Sequence, residues 1–143
     1  MAAIGLAIRQ ALSSKCRYRV GAVLISGNRV LAAGPNTHRN SSMVDFRHAT
    51  FHAEEVVLRR VKSTPRRAEI FVARVNRAGT PLLARPCLRC QKALAFAGIH
   101  RAHFTTNDCR VESIDISEIP LALSSGSVRV PGSRIYPLHF AAS

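Results

Sequence analysis

The sequence predicts an α/β fold, a three-layer α/β/α sandwich around a mixed sheet of about five strands. Three observations carry this expectation. Short continuous apolar runs of strand length alternate along the chain with stretches of helical periodicity. Residues 68–106 read as strand, helix, strand, and such a crossover joins parallel neighbours. Residues 20–33 hold two apolar runs separated by Ser26-Gly27-Asn28, the pattern of a hairpin and so of an antiparallel pair.

The elements follow in order. Residues 2–13 carry apolar groups at Ile4, Leu6, Ala7, Ile8, Ala11 and Leu12, a spacing that fits a helix with one buried face, which Ser13-Ser14 ends. Val20–Ile25 is apolar throughout, as in a strand buried on both faces, and Val30–Ala33 returns beside it. Residues 34–50 are long, polar and irregular, and a loop of that length in a small domain is usually functional. His52–Val61 reads as a helix burying Ala53, Val56, Val57 and Val61, with Arg59, Arg60 and Lys62 toward its far side. Ala68–Ala73 is a strand, Pro81–Pro86 a loop, and Cys87–Ala97 a helix capped by Gly98. His100–Thr106 is the next strand. Beyond Asn107 the pattern weakens: Val111–Ile119 reads as a short helix and Val128–Val130 as an edge strand, among Pro120, Pro131 and Pro137.

Composition bounds the class. The chain has 143 residues, 47% hydrophobic and 20% charged. That suits one globular domain over 1–143, with 107–143 its least defined segment. No apolar run approaches the roughly 20 residues that cross a bilayer, so no membrane partner is expected. The opening residues read as the first helix rather than an export signal. With four cysteines, Cys16, Cys87, Cys90 and Cys109, this points to a reducing, cytoplasmic setting and to metal or redox chemistry rather than a disulfide framework.

The charge is far from ordinary: 21 basic against 8 acidic residues give +13. A polyanionic partner or an anionic substrate would explain it, as would the base composition of an Arg-rich gene. The excess is also segregated. Residues 56–107 hold a single acid, Glu69, whereas Asp108, Glu112, Asp115 and Glu118 cluster together.

The chemistry concentrates in His52, Cys87 and Cys90. Imidazole and thiolate are the usual zinc ligands, and each of these residues opens a predicted helix. Cys87 and Cys90, three apart, can face one point, and the helix start favours their thiolates. Three protein ligands leave a fourth position for water, the mark of a catalytic site, whereas structural sites usually have four. Glu54, two residues after His52, can reach such a water and move its proton.

His52-Ala53-Glu54 followed by Pro86-Cys87-Leu88-Arg89-Cys90 matches the signature of zinc nucleobase deaminases. The chain resembles the cytidine and deoxycytidylate deaminase superfamily. Ser14-x-Cys16-x-Tyr18-x-Val20-Gly21-Ala22-Val23 is similar to the entry of the first strand in its deoxycytidylate branch, and Ala97-Gly98-Ile99 to the end of its third helix. The likeness covers residues 14–106. It implies a cytidine deaminase-like fold, one Zn2+ per chain held by His52, Cys87 and Cys90, and Glu54 as the proton carrier. In Gly34-Pro35-Asn36 it places Asn36 on the substrate sugar. Ala53 and Pro86, inside the motif, are further candidate substrate contacts.

His48 and Arg85 join that set on their own chemistry. His48, four residues before His52, could line the pocket, and Arg85 departs from the small or acidic residue common before Pro-Cys and would suit a phosphate. Glu55 points about 100° away from Glu54 on a helix, as a solvated or salt-bridged side chain. Cys16 and Cys109 read as small apolar residues, and Phe46 or Phe104 as core or as a base-stacking ring.

The favoured substrate is a small pyrimidine nucleotide whose cytosine becomes uracil with loss of ammonia. A base within single-stranded DNA or RNA is the alternative, to which the charge lends weight. A zinc-stabilised binding module is the non-enzymatic alternative, and a homo-oligomer is open.

Overall fold

Ala3–Leu12 forms helix α1, whose Ile4, Ala7 and Ala11 are buried. The structure, a computed structural model, describes residues 3–38, 50–61, 67–116 and 134–137. Strand β1 (Arg19–Ser26) runs directly beneath α1. The approach is close enough to dictate a residue: a Cβ on Gly21 would lie 2.2 Å from the Ala7 carbonyl oxygen and 2.3 Å from the Ala11 nitrogen. Only glycine lets helix backbone and strand meet there.

Gly27, at φ +60°, turns β1 into β2 (Arg29–Pro35), the antiparallel hairpin expected. Thr37–His38 (β3) and Thr50–Phe51 (β4) make a separate two-stranded pair within the long polar stretch. Helix α2 (Ala53–Arg60) follows, then β5 (Glu69–Val75), β6 (Pro81–Leu82), α3 (Leu88–Phe96), β7 (Arg101–Thr105), β8 (Arg110–Asp115) and β9 (Arg134–Pro137). The main sheet runs β2-β1-β5-β7-β8-β9, with β6 against β5, so its seven strands exceed the number expected. β5 and β7 are parallel, as the crossover through α3 requires, and the other pairs are antiparallel.

The strand alternation sends side chains to two layers. Val23, Ala73 and Val111 meet Ile4 and Ala7 of α1 on one face. Leu24, Ile70, Val72, Phe104 and Ile114 meet Val57 of α2 and Leu94 of α3 on the other. Helices on both faces of a mixed sheet make the expected sandwich. Gly98, at φ +81°, caps α3, and the Ile99 N–H returns to the Leu94 carbonyl at 3.0 Å.

Three expectations are corrected. The helix expected from Val111 is not formed: Arg110–Asp115 is a strand paired along β7, and 117–119 lie outside the described residues. The spacing of Val111 and Ile114 imitates a helical stripe, yet the two enter opposite layers, which only a strand allows. Pro81–Leu82, inside the expected loop, pairs with β5. Cys109 is an exposed residue at φ +59° in the β7–β8 turn, not an apolar filler. The expected edge strand at 128–130 lies outside the described residues, and the neighbour of β8 among the described ones, besides β7, is β9.

Candidate active site

Two helices begin at one place. His52 and Cys87 are the N-cap residues of α2 and α3, both with extended backbones. The His52 N–H donates to Glu55 Oε1 at 3.2 Å, tying the first turn of α2. Cys87 is approached along a braced segment. The Ala84 N–H donates to the Thr105 carbonyl at 2.9 Å, and Thr105 Oγ1 donates to the Leu82 carbonyl at 2.6 Å. The Leu83 N–H donates to Asn107 Oδ1 at 2.8 Å, and Gln91 Nε2 to the Pro86 carbonyl at 2.7 Å. The carboxyl ends of β5 and β7 thus hold the cysteine turn, where open α/β sheets place their ligands.

His52 Nδ1 lies 3.2 Å from Cys90 Sγ and 3.7 Å from Cys87 Sγ, and the three ligand atoms all fall within 4.8 Å of one another. A tetrahedral zinc with bonds of about 2.0–2.3 Å needs its ligands roughly 3.3–3.8 Å apart, so a small adjustment suits this set. The electrostatics agree. Hydrogen bonds from Cys90 and then His52 hold the Cys87 thiol down to about 3, against the cost of burial. The proton shared with Cys87, together with burial, pushes the Cys90 thiol up. The hydrogen bond to Cys87 likewise raises His52. A soft cation binding here would be held by the thiolates and would displace the protons gathered around them.

Glu54 projects from the first turn of α2 and is 5% exposed. Burial raises its carboxyl above the usual range, with its backbone hydrogen bond and His52 opposing. It lines a cavity of about 610 Å3 together with His52, Ala53 and Cys87. That size suits a small-molecule site. Cys90 lies buried behind His52.

The candidate substrate contacts divide. Asn36, Ala53 and Arg85 line the cavity. Pro86 does not; it is buried, and its carbonyl serves Gln91. His48 lies outside the described residues, as does Phe46, while Phe104 is wholly within the core. Asn36 is deeply engaged. Its Oδ1 accepts from Ser14 Oγ at 2.6 Å and from the Val20 N–H at 3.0 Å, and its Nδ2 donates to the Tyr18 carbonyl at 2.6 Å. Glu55 is salt-bridged, to Arg89.

Several lining residues were absent from the expected set, among them Arg17, Tyr18, His38 and Arg74. Register brings Arg74 there, since it pairs with Val20 across β1 and β5. The guanidinium groups of Arg17 and Arg74 lie 5.6 Å and 5.1 Å from the exposed Tyr18 ring. Tyr18 stood within the matched motif, but no signal in it pointed to this contact.

Residues 1–106 match the family described as the cytidine and deoxycytidylate deaminase zinc-binding region. The dCMP deaminase of the cyanophage S-TIM5, in apo form, superposes with a TM-score of 0.58 at 22% identity, over 73% of this chain and 80% of that one. The same enzyme in complex with dCMP and dUMP gives 0.57 at 22%, over 73% and 78%. A structure from work on A-to-I editing by tRNA:A34 deaminases gives 0.51 at 29%, over 75% and 76%. No curated protein sequence matches the chain. Fold, ligand set and family match agree: the chain belongs to the cytidine and deoxycytidylate deaminase family. It is a zinc-dependent deaminase of that type, and its His52, Cys87 and Cys90 cluster fits one Zn2+ per chain. A purely structural zinc module is thereby set aside.

Proposed function

We propose that this chain hydrolyses the exocyclic amine of a cytosine-type base carried on a phosphorylated nucleotide, leaving a uracil-type base and ammonia. The observation that carries the reading is the buried Glu54 carboxyl beside the His52, Cys87 and Cys90 cluster in a cavity of about 610 Å3. Zinc, when bound, lowers the pKa of a coordinated water to about 7. Glu54 accepts a proton from the attacking water and delivers it to the ring nitrogen N3. It then takes the proton of the new C4 hydroxyl and passes it to the departing amine as the C4 carbonyl forms. A C4–O bond forms, the C4–N bond breaks, one water is consumed and one ammonia leaves, with no change of oxidation state. The raised pKa of Glu54 suits a group that both takes and gives a proton.

The minimal substrate is a free (deoxy)cytidine nucleotide. Arg17, Arg74 and Arg85 line the cavity with cationic groups for its phosphate, and Asn36 and Ala53 wall the base and sugar. The cyanophage dCMP deaminase, recorded with dCMP and dUMP, supports that substrate class. Zinc-loaded protein incubated with cytidine, dCMP and AMP tests the reading. Uracil product and ammonia are expected from dCMP, at a higher kcat/KM than from cytidine. Conversion of the adenine nucleotide alone, or no conversion of any, overturns it. The second reading, a base within single-stranded nucleic acid, is favoured by the cations beyond the cavity rim.

A further inference from the structure

We propose that a second, cationic cavity beside the zinc cavity binds a phosphodiester, so that the preferred substrate is a base within a single-stranded oligonucleotide. The proposal rests on the deaminase reading above and extends its substrate. This cavity, about 430 Å3, is lined by Lys15, Cys16, Arg17, Arg19 and Arg77. Cys16 and Arg17 line the zinc cavity as well, so the two hollows share one wall.

Four of the five lining residues are cations, and none is an acid. Among the described residues, none of these four makes an ion pair, whereas Arg89 and Arg110 have Glu55 and Asp108. Unpaired like charges gathered in a concave site repel one another, and a bound polyanion relieves them; the low-dielectric walls focus their field on it. A mononucleotide does not account for them. Its one phosphate is met by the arginines of the zinc cavity, and Lys15, Arg19 and Arg77 remain beyond it.

The zinc cavity, next to that shared wall, carries the other half of a strand-binding surface. Tyr18 is 58% exposed, and the guanidinium groups of Arg17 and Arg74 flank its ring. An exposed aromatic between cations is a stacking platform for a neighbouring base. Residues 15–19, which supply three of the cations and this ring, reach at most about 17 Å, enough for a nucleotide or two beside the target. The target base must be unstacked to enter the zinc cavity, which favours a single strand over a duplex. A nucleoside triphosphate is the other source of a second phosphate.

The test uses the full zinc-loaded chain with dCMP, dCTP and a short labelled single strand carrying one cytosine. The strand is expected to have a KM at least tenfold below that of dCMP. Arg19→Glu with Arg77→Glu is expected to raise the strand's KM about tenfold or more and to flatten its salt dependence. The same pair should leave dCMP within about twofold, since neither residue lines the zinc cavity. Arg19→Gln with Arg77→Gln, which removes charge without reversing it, should give a smaller shift in the same direction. Equal effects on dCMP and the strand, or no effect on the strand, overturn the proposal. So does preference for dCTP over the strand. Turnover of dCMP without turnover of the strand sinks the second cavity and leaves the deaminase reading intact. Strand binding by fluorescence anisotropy that the double variants weaken, with no turnover of any substrate, supports the cavity and sinks the deaminase reading.

Discussion

Arg89 Nη2 donates to Glu55 Oε1 at 2.5 Å, and the same oxygen receives the His52 backbone N–H at 3.2 Å. One carboxylate thus joins the start of α2 to the start of α3, and each start carries zinc ligands. The pair is half exposed on the Arg89 side, so its worth lies in geometry more than in stability.

Loss of this tie should loosen the metal. Arg89→Ala removes the link between helices and leaves the His52 cap, whereas Glu55→Ala removes both. Zinc affinity, read by competition with a chromophoric chelator, is expected to fall about tenfold for Glu55→Ala and by less for Arg89→Ala. Equal affinity in both variants and wild type would show that the ligands need no such support.

Glu54→Gln keeps the shape of the side chain and removes its capacity to carry a proton. Turnover of a cytosine nucleotide is expected to drop by at least about a hundredfold while zinc content stays at the wild-type level. Metal analysis alongside kcat separates this from simple loss of the cofactor. A variant with full zinc and wild-type kcat would remove Glu54 from the reaction.

Gly21 is the point where α1 rests on the sheet. Gly21→Ala puts a methyl carbon 2.2 Å from the Ala7 carbonyl oxygen, and the obstacle is backbone rather than a flexible side chain. Destabilisation of at least about 3 kcal/mol is expected in urea unfolding, with α1 displaced. A change within the error of the measurement would mean that α1 sits further from β1.

His103 gives stability a pH dependence. It is buried on β7, with Nδ1 2.6 Å from Ser113 Oγ, Nε2 2.9 Å from Glu69 Oε1, and its ring stacked 4.2 Å from Phe71. Burial holds its pKa below the usual value, Glu69 opposes that, and Arg101 reinforces it. In the unfolded chain the imidazole titrates near 6.5. Below that pH the unfolded state takes up a proton that the folded state declines. Its contribution is therefore full above about pH 6.5 and shrinks as pH falls through the folded value. Thermal melts should show a loss of Tm toward about pH 5 that His103→Gln reduces. An identical slope in the variant would place the titration elsewhere.

The zinc cluster was legible because its signals are local. Residue type, a three-residue cysteine spacing and helix starts at His52 and Cys87 all lie within short windows, and the fold brings the windows together. The sheet was legible where strands are buried on both faces, as in β1 and β5. It was misread at Val111 and Ile114, whose three-residue spacing reads as one helix face although the strand sends them to opposite layers. Arg74 and Tyr18 escaped notice because long-range register, not sequence proximity, carries Arg74 to the cavity. Asn36 was assigned to substrate from a motif that says nothing of the bonds to Ser14, Val20 and Tyr18.

Those bonds have a thermodynamic consequence. The segment 14–18, which leads into β1, has no helix or strand, and left to itself it would sample many shapes. The Asn36 amide holds it and the start of β1 at three points, and its backbone carbonyl adds a fourth tie, to the Cys16 thiol at 3.5 Å. The entropy of ordering that wall is therefore lost on folding rather than on each encounter with a ligand. Association through this side can proceed as rigid-body docking, and weakening the Asn36 tie would lower affinity without removing a single contact to the ligand.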